Sequence, residues 1–268
     1  MSQLKILMFG DIVGKIGRKG VAEVLPKLKK KYKPDLIIAN AENLAHGNGV
    51  TEKTLKEMMN AGIDFFTSGN HVWENKADID QLLTDKKWPL IRPANYPEGV
   101  LGDGYRIIEV GVYKILIINL IGRVFFRDNF DCPFRKMQQI LAETKRMKPD
   151  AIIVDFHAEA TSEKISFARH FDGQVSAIFG THTHVQTADE QIFESGTAYI
   201  TDVGMAGLKK SSLGVELPTV IKKFLDQTPQ AFEIPDHGAC QVDGIFVIIK
   251  TETKQAEKIE RIKMEVEI

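Results

Sequence analysis

Five short, β-branched apolar runs in this sequence are each followed almost at once by a carboxylate, an amide or an imidazole. Lys5–Phe9 precedes Asp11, Leu36–Ala39 precedes Glu42 and Asn43, and Phe65–Thr67 precedes Asn70 and His71. Ala151–Asp155 precedes His157, and Ala177–Phe179 precedes His182 and His184. Short apolar, β-branched runs of this kind, with longer segments of helical spacing between several of them, read as strands of an α/β layered fold. In an open α/β sheet the loops leaving the carboxyl ends of parallel strands share one edge, where such sheets place their ligands. Residues far apart in the chain are therefore expected to converge, provided that these strands run parallel.

The rest of the chain fits an α/β reading. Further strands are expected at Arg106–Val110, Lys114–Leu120, Ala198–Thr201, Ile245–Lys250 and Lys258–Glu267. Helical spacing marks Lys19–Lys31, Glu52–Ala61, Asp78–Leu83, Phe134–Met147, Glu163–Phe171 and Pro218–Asp226. Only Gly111-Val112-Tyr113 separates two of the strands, and a second hairpin is expected around Glu252–Gln255, so the sheet is expected to be mixed. No repeat or Pro/Ser-rich linker divides the chain, and residues 1–268 read as one domain. The lysines of Lys27–Lys31 fall at a helix end, where they suit the negative pole of the helix dipole.

Lys and Arg total 35 against 36 Asp and Glu, a formal net charge of -1. No global basic field is available to recruit nucleic acid or an acidic membrane, so an anionic ligand must be held locally. No apolar stretch is long enough for a membrane span. The two cysteines, Cys132 and Cys240, in a chain without a secretory signal fit a reducing cytoplasm better than a disulfide framework. Nothing in the sequence specifies or excludes a homo-oligomer.

Taken alone, Asp11, Glu42, Asn70 or His157 reads as well as a turn, capping or core residue. The pair in Gly180-Thr181-His182-Thr183-His184 is different, because alternate residues of an extended chain share a face. Together these residues point to a shared metal site. Gly10-Asp11-Ile12-Val13-Gly14-Lys15-Ile16 is not a phosphate loop: its glycines are one residue too close, and Ile16 stands where Ser or Thr would hold magnesium. There is no Gly-x-Ser-x-Gly nucleophile elbow. His170 reads as structural and His237 as a turn residue, while His46 lies in the loop after Glu42, within reach of a ligand.

In order and spacing, Asp11, Glu42-Asn43, Gly69-Asn70-His71, His157 and Gly180-Thr181-His182-Thr183-His184 resemble the calcineurin-like metallophosphoesterases. Within them the chain is similar to the bacterial YmdB-like subfamily, over essentially its whole length. The resemblance implies a layered α/β/β/α fold with mixed sheets. It implies one metal held by Asp11, Glu42, Asn43 and His184, and a second held by Asn70, His157 and His182, with Glu42 as the bridge. Asp11-Ile12-Val13 replaces the superfamily's Asp-x-His, so Asn43 is expected to take the place of the missing imidazole. Val72 stands where many relatives carry an acid, so His71 is expected to lack an adjacent carboxylate.

Carboxylate, amide and imidazole donors suit iron or manganese, or zinc, better than calcium. The reaction implied is attack of a metal-bridging hydroxide on a phosphodiester, with His71 as the acid that protonates the leaving oxygen. The resemblance points to a small phosphodiester such as a 2′,3′-cyclic nucleotide, and Trp73 and Tyr96 are candidates either to stack its base or simply to pack. Alternatives on the same residues are a phosphomonoesterase, a nuclease acting on RNA ends, or a metal-stabilised regulatory protein with little turnover.

Overall fold

The protein was analysed as a computed structural model that describes residues 2–268. In chain order its elements are β1 (Gln3–Ile12), α1 (Gly14–Tyr32), β2 (Leu36–Asn40), α2 (Glu52–Ala61), β3 (Phe65–Thr67) and α3 (Lys76–Thr84). There follow β4 (Tyr105–Val110), β5 (Tyr113–Ile121), α4 (Pro133–Thr144), β6 (Ala151–His157), α5 (Thr161–His170) and β7 (Ala177–Thr181). The chain ends with β8 (Gln191–Ile192), β9 (Ala198–Ile200), β10 (Met205–Leu208), α6 (Leu217–Asp226), β11 (Ala239–Lys250) and β12 (Gln255–Glu267).

Two six-stranded sheets form, in the orders β12-β11-β10-β1-β2-β3 and β4-β5-β6-β7-β9-β8. Both are mixed. In the first, β10, β1, β2 and β3 run parallel while β11 and β12 are antiparallel. In the second, β5, β6, β7 and β9 run parallel between antiparallel edges. The strands that carry the candidate residues are thus parallel within each sheet, which was the condition for their convergence.

Side chains alternate between the faces of a strand, and here that alternation builds four layers. Leu4, Ile6 and Met8 of β1 meet Ile115, Ile117, Ile153 and Phe179 of the second sheet in a core between the sheets. Leu7 and Phe9 face the other way, onto Val24 and Leu28 of α1, Leu55 of α2 and Leu82 of α3. Leu116, Ile118 and Val154 likewise pack on Met137 and Ile140 of α4 and Phe167 of α5. Strands β2 and β6 are buried along their whole length, which is why they read as unbroken apolar runs.

Local chemistry sets several boundaries. Thr51 caps α2 through a reciprocal box with Thr54, and Gly62 ends that helix at φ 107°. Lys29, Lys30 and Lys31 fill the last turn of α1. The β4–β5 hairpin turns on Gly111 and Val112 alone, one residue tighter than the sequence indicated. Strands β8 and β10 were not expected: Gln191–Ile192 and Met205-Ala206-Gly207-Leu208 are too short to show a period, and pairing with neighbours creates them.

Candidate functional site

The carboxyl ends of β1, β2, β3, β6 and β7 bring Asp11, Glu42, Asn70, His157, His182 and His184 together, with Asn43 and His71 beside them. Asp11 lies within the last turn of β1 pairing rather than beyond it, its backbone in register with Met205 and Asn40. His157 is the last residue of β6. Asp11, Glu42, Asn43 and His157 are buried.

His157 Nε2 lies 3.2 Å from Glu42 Oε1, 3.1 Å from Asn70 Oδ1 and 3.0 Å from His182 Nδ1. Glu42 Oε2 accepts the His71 backbone N–H at 3.0 Å. Asp11 Oδ2 accepts the His182 backbone N–H at 3.1 Å, and Asp11 Oδ1 lies 3.7 Å from His184 Nε2. The His182 backbone thereby ties the Asp11–His184 half to the Glu42–Asn70–His157 half. Asn43 makes no hydrogen bond to any of these residues; it gives its amide N–H to Gly47 O at 2.7 Å.

The backbone must come close for this to happen. A Cβ on Gly69 would collide with Glu42 Oε2 and His157 Nε2, so glycine before Asn70 is a steric requirement.

The His182–His184 segment departs from the sequence reading. It is not extended: His182 and His184 hold φ of 97° and 63°, in the left-handed region where non-glycine residues are strained. The two imidazoles do not share a face. They diverge, His182 toward His157 and His184 toward Asp11. Asp202, buried, fixes the turn by accepting both the N–H and the hydroxyl of Thr183, at 3.1 and 2.7 Å, and pairs with buried Lys164 at 2.8 Å.

Each imidazole has one nitrogen tied outward. His157 Nδ1 meets Thr181 Oγ1 at 2.9 Å, and that hydroxyl donates to Asp155 Oδ1 at 2.7 Å, so the ring nitrogen is the donor in the pair. His182 Nε2 lies 3.0 Å from Glu159 Oε2, and His184 Nδ1 lies 2.9 Å from Leu213 O. With those nitrogens protonated, His157 Nε2 turns its lone pair toward Glu42 Oε1 and Asn70 Oδ1, His184 Nε2 turns its own toward Asp11 Oδ1, and His182 Nδ1 faces His157 Nε2. Asp11 Oδ1 and Asn43 Oδ1 are buried without any hydrogen-bond partner among the described residues. Buried lone pairs that face one another are costly unless a cation lies among them. Tethering one nitrogen to orient the other is how protein sites prepare imidazole for a metal. The donor set fits metal, and Glu42, His157 and His182 each offer an atom within 4.8 Å of the others.

Burial works against charged imidazoles at His157 and His184, but the carboxylates of Glu42 and Asp11 outweigh it, raising His157 and taking His184 up to about 9; a cation among these donors would take the place of those protons. Burial, helped by charge on His157, pushes the His182 imidazole down to about 3, so it is neutral at physiological pH. Burial works against the Asp11 carboxylate, but the nearby His184 imidazole outweighs it and holds the group below the usual carboxylate range. For Glu42 the charge and hydrogen bond of His157 likewise overcome burial. Asp155, between the sheets, is pushed up to about 6 by burial. It takes Asn40 Nδ2 at 3.0 Å and the hydroxyls of Thr67 and Thr181, joining β2, β3, β6 and β7 directly beneath the site.

His71 sits at the rim, its side chain 32% exposed, in the single turn Asn70–Trp73. Val72 holds the position next to His71 in the chain, and Glu74, three residues on, places Oε1 3.7 Å from Nδ1, beyond hydrogen-bond distance. Sequence reading also missed Asp155, Glu159, Thr181 and Asp202. Only Glu159, a charged residue two positions beyond His157, left a local signal. Trp73 and Tyr96 pack edge to face at 5.8 Å. His46 is exposed at φ 52° and lines, with Lys15, Arg18 and Phe232, an open cleft to one side.

The profile of the YmdB-like protein family matches residues 7–262. A 2′,3′-cyclic-nucleotide 2′-phosphodiesterase of Bacillus subtilis is 46% identical over 97% of this chain and 96% of its own. The crystal structure of a phosphatase from Mycoplasma pneumoniae superposes with a TM-score of 0.93 at 38% identity, covering 100% of this chain and 95% of that one. A putative 5′-nucleotidase from Staphylococcus aureus shares the fold, with a TM-score of 0.64 at 15% identity over 97% of this chain and 54% of that one. Profile and relatives extend over nearly the whole chain, and the protein belongs to the YmdB-like family.

Proposed function

We propose that this protein is a metal-dependent phosphodiesterase that hydrolyses 2′,3′-cyclic nucleotides or related small phosphodiesters, with Asp11, Glu42, Asn43, Asn70, His157, His182 and His184 as the metal ligands and His71 as the catalytic acid. One observation carries the metal assignment: His157, His182 and His184 each tether one ring nitrogen outward and turn the other inward, His157 toward Glu42 and Asn70, His184 toward Asp11 and His182 toward His157. The mixed oxygen and nitrogen donors, without a thiolate, suit two iron or manganese ions, with zinc as the other candidate. Such a pair supplies Lewis-acid polarisation of the phosphoryl oxygens and acidification of a water. It also explains how a protein of formal net charge -1 attracts a phosphate ester.

The chain's own residues do the rest. Glu42 fixes the position of His71 through the backbone N–H, so the ligand and the acid move as one unit. His71 Nδ1 is buried on the side of Glu74, leaving Nε2 as the nitrogen able to meet a substrate oxygen. Donating a proton from Nε2 to the departing ribose oxygen lets the ester oxygen leave as an alcohol while water contributes hydroxide to phosphorus, and the proton that water gives up returns His71 to its acid form through solvent. A cyclic diester carries one negative charge, which a carboxylate-rich site repels less than a monoester dianion. An acid at the rim, outside the proposed ligand set, favours an enzyme over a closed metal site.

The Bacillus subtilis relative motivates the cyclic substrate. The test is kcat/KM for 2′,3′-cyclic AMP, 3′,5′-cyclic AMP, AMP and a short oligoribonucleotide at one metal loading. The 2′,3′-cyclic ester is expected to be cleaved fastest. AMP fastest would make the protein a monoesterase, the oligonucleotide a nuclease, and bound metal without turnover a regulatory protein.

A further inference from the structure

The loop after β5 carries aromatic residues that the catalytic scheme does not use. Phe126 places its ring 4.9 Å from the His182 ring and 6.4 Å from that of His157. Phe130 packs edge-on against Phe126 at 5.8 Å, Tyr96 against Phe130 at 5.0 Å, and Trp73 against Tyr96 at 5.8 Å. An aromatic arc thus runs from His182 to the residue two beyond His71. Edge-to-face contacts hold its members in place. Trp73 and Tyr96, stacking candidates by sequence, are committed to this support.

The base of the loop is anchored as well. Glu163, in the first turn of α5, accepts the Arg123 N–H at 3.0 and 3.1 Å and the Val124 N–H at 3.2 Å. Phe125, the next residue, is treated in the opposite way. It is 82% exposed and adopts φ 69°, a left-handed conformation in which an aromatic side chain is strained. Exposure and strain both weigh against the folded state, and among the described residues Phe125 has no aromatic partner. A strained, exposed aromatic residue adjoining a rigid wall of the site is the kind of feature that a ligand explains.

We propose that the Arg123–Phe130 loop is a nucleobase subsite, with Phe125 as the face on which the base of a cyclic nucleotide stacks. The inference rests on the phosphodiesterase reading above and adds to it that the loop selects nucleoside-bearing diesters over bare ones. Every base has a π-face, so the subsite accepts all four and favours the larger purines through area rather than hydrogen bonding.

The experiment compares 2′,3′-cyclic AMP, 2′,3′-cyclic CMP and glycerol 1,2-cyclic phosphate, which has the strained ring but no base, in the metal-loaded wild type, Phe125→Ala and Phe125→Trp. For the wild type, kcat/KM should fall in that order. In Phe125→Ala the preference for cyclic AMP over the glycerol ester should shrink about 5- to 10-fold, through KM rather than kcat, the low end of what a stacked base contributes. Phe125→Trp should restore it. An unchanged preference in Phe125→Ala, or failure of tryptophan to restore it, overturns the subsite while leaving the phosphodiesterase intact. A wild type inactive on all three esters overturns the phosphodiesterase reading and the subsite with it.

Discussion

The imidazoles of His157 and His182 meet nitrogen to nitrogen, Nε2 to Nδ1, at 3.0 Å. Their remaining nitrogens are engaged with Thr181 and Glu159, so in the neutral rings neither has a proton to offer across that gap. A cation shared between them would resolve the contact. His157→Ala and His182→Ala are each expected to lower the metal retained by purified protein, measured by elemental analysis, because no neighbouring side chain replaces the lost lone pair. Full stoichiometry in both variants would exclude the ligand assignment.

Thr181 relays between Asp155 and His157, accepting from the ring and donating to the carboxylate. Thr181→Val keeps the shape and removes the relay, so His157 loses its orientation and Asp155 loses a donor. Metal affinity is expected to fall about 10- to 100-fold in a competition titration with a chelator. Thr181→Ser should retain it. Equal affinity in the valine and serine variants would show that packing alone orients the ring.

His71 is expected to affect chemistry without affecting metal content. Its side chain contributes no proposed ligand, and its backbone contact to Glu42 survives substitution. His71→Ala should lower kcat by about 10²- to 10⁴-fold on an alkyl or ribose leaving group. The loss should shrink on bis-p-nitrophenyl phosphate, since nitrophenolate leaves with little protonation. The same loss on both substrates would assign His71 to phosphate positioning.

Asp243 is a liability at neutral pH. Burial, with the charge of Asp202 adding to it, pushes its carboxyl up to about 6 against the opposing charge of Lys263, and Oδ1 has no hydrogen-bond partner. A folded-state pKa above the unfolded value means the protonated acid favours folding, and that contribution is lost as pH rises from about 4 through about 6. Asp243→Asn, neutral at every pH, should therefore be more stable than wild type at pH 8, by about 2–6 °C in Tm for about 1–2 kcal/mol. The difference should close below pH 4. A gap that stays constant from pH 4 to pH 8 would rule out ionisation as its cause.

Strand chemistry made the fold legible. Leu36–Asn40 and Ala151–His157 are buried on both faces, and only a sheet covered on both sides accommodates such runs. Strands β8 and β10 left no such mark, since two and four residues cannot display a period and their pairing is decided by what lies beside them.

At the site, the sequence by itself determined which side chains are present and at which strand ends, because a polar residue closing an apolar run must face a loop. Tertiary structure alone decided how they face one another. The positive φ of His182 and His184, imposed where Asp202 grips Thr183, sends the two imidazoles to different partners although two positions separate them. Asp155 and Thr181 become the support of His157 only because β6 and β7 pair in the register that aligns His157 with Thr181. Glu74 reaches toward His71 only through the turn Asn70–Trp73. Hydrogen-bond orientation depends on distances of a few tenths of an ångström between residues remote in the chain, and those distances are set by the packing of two sheets against each other.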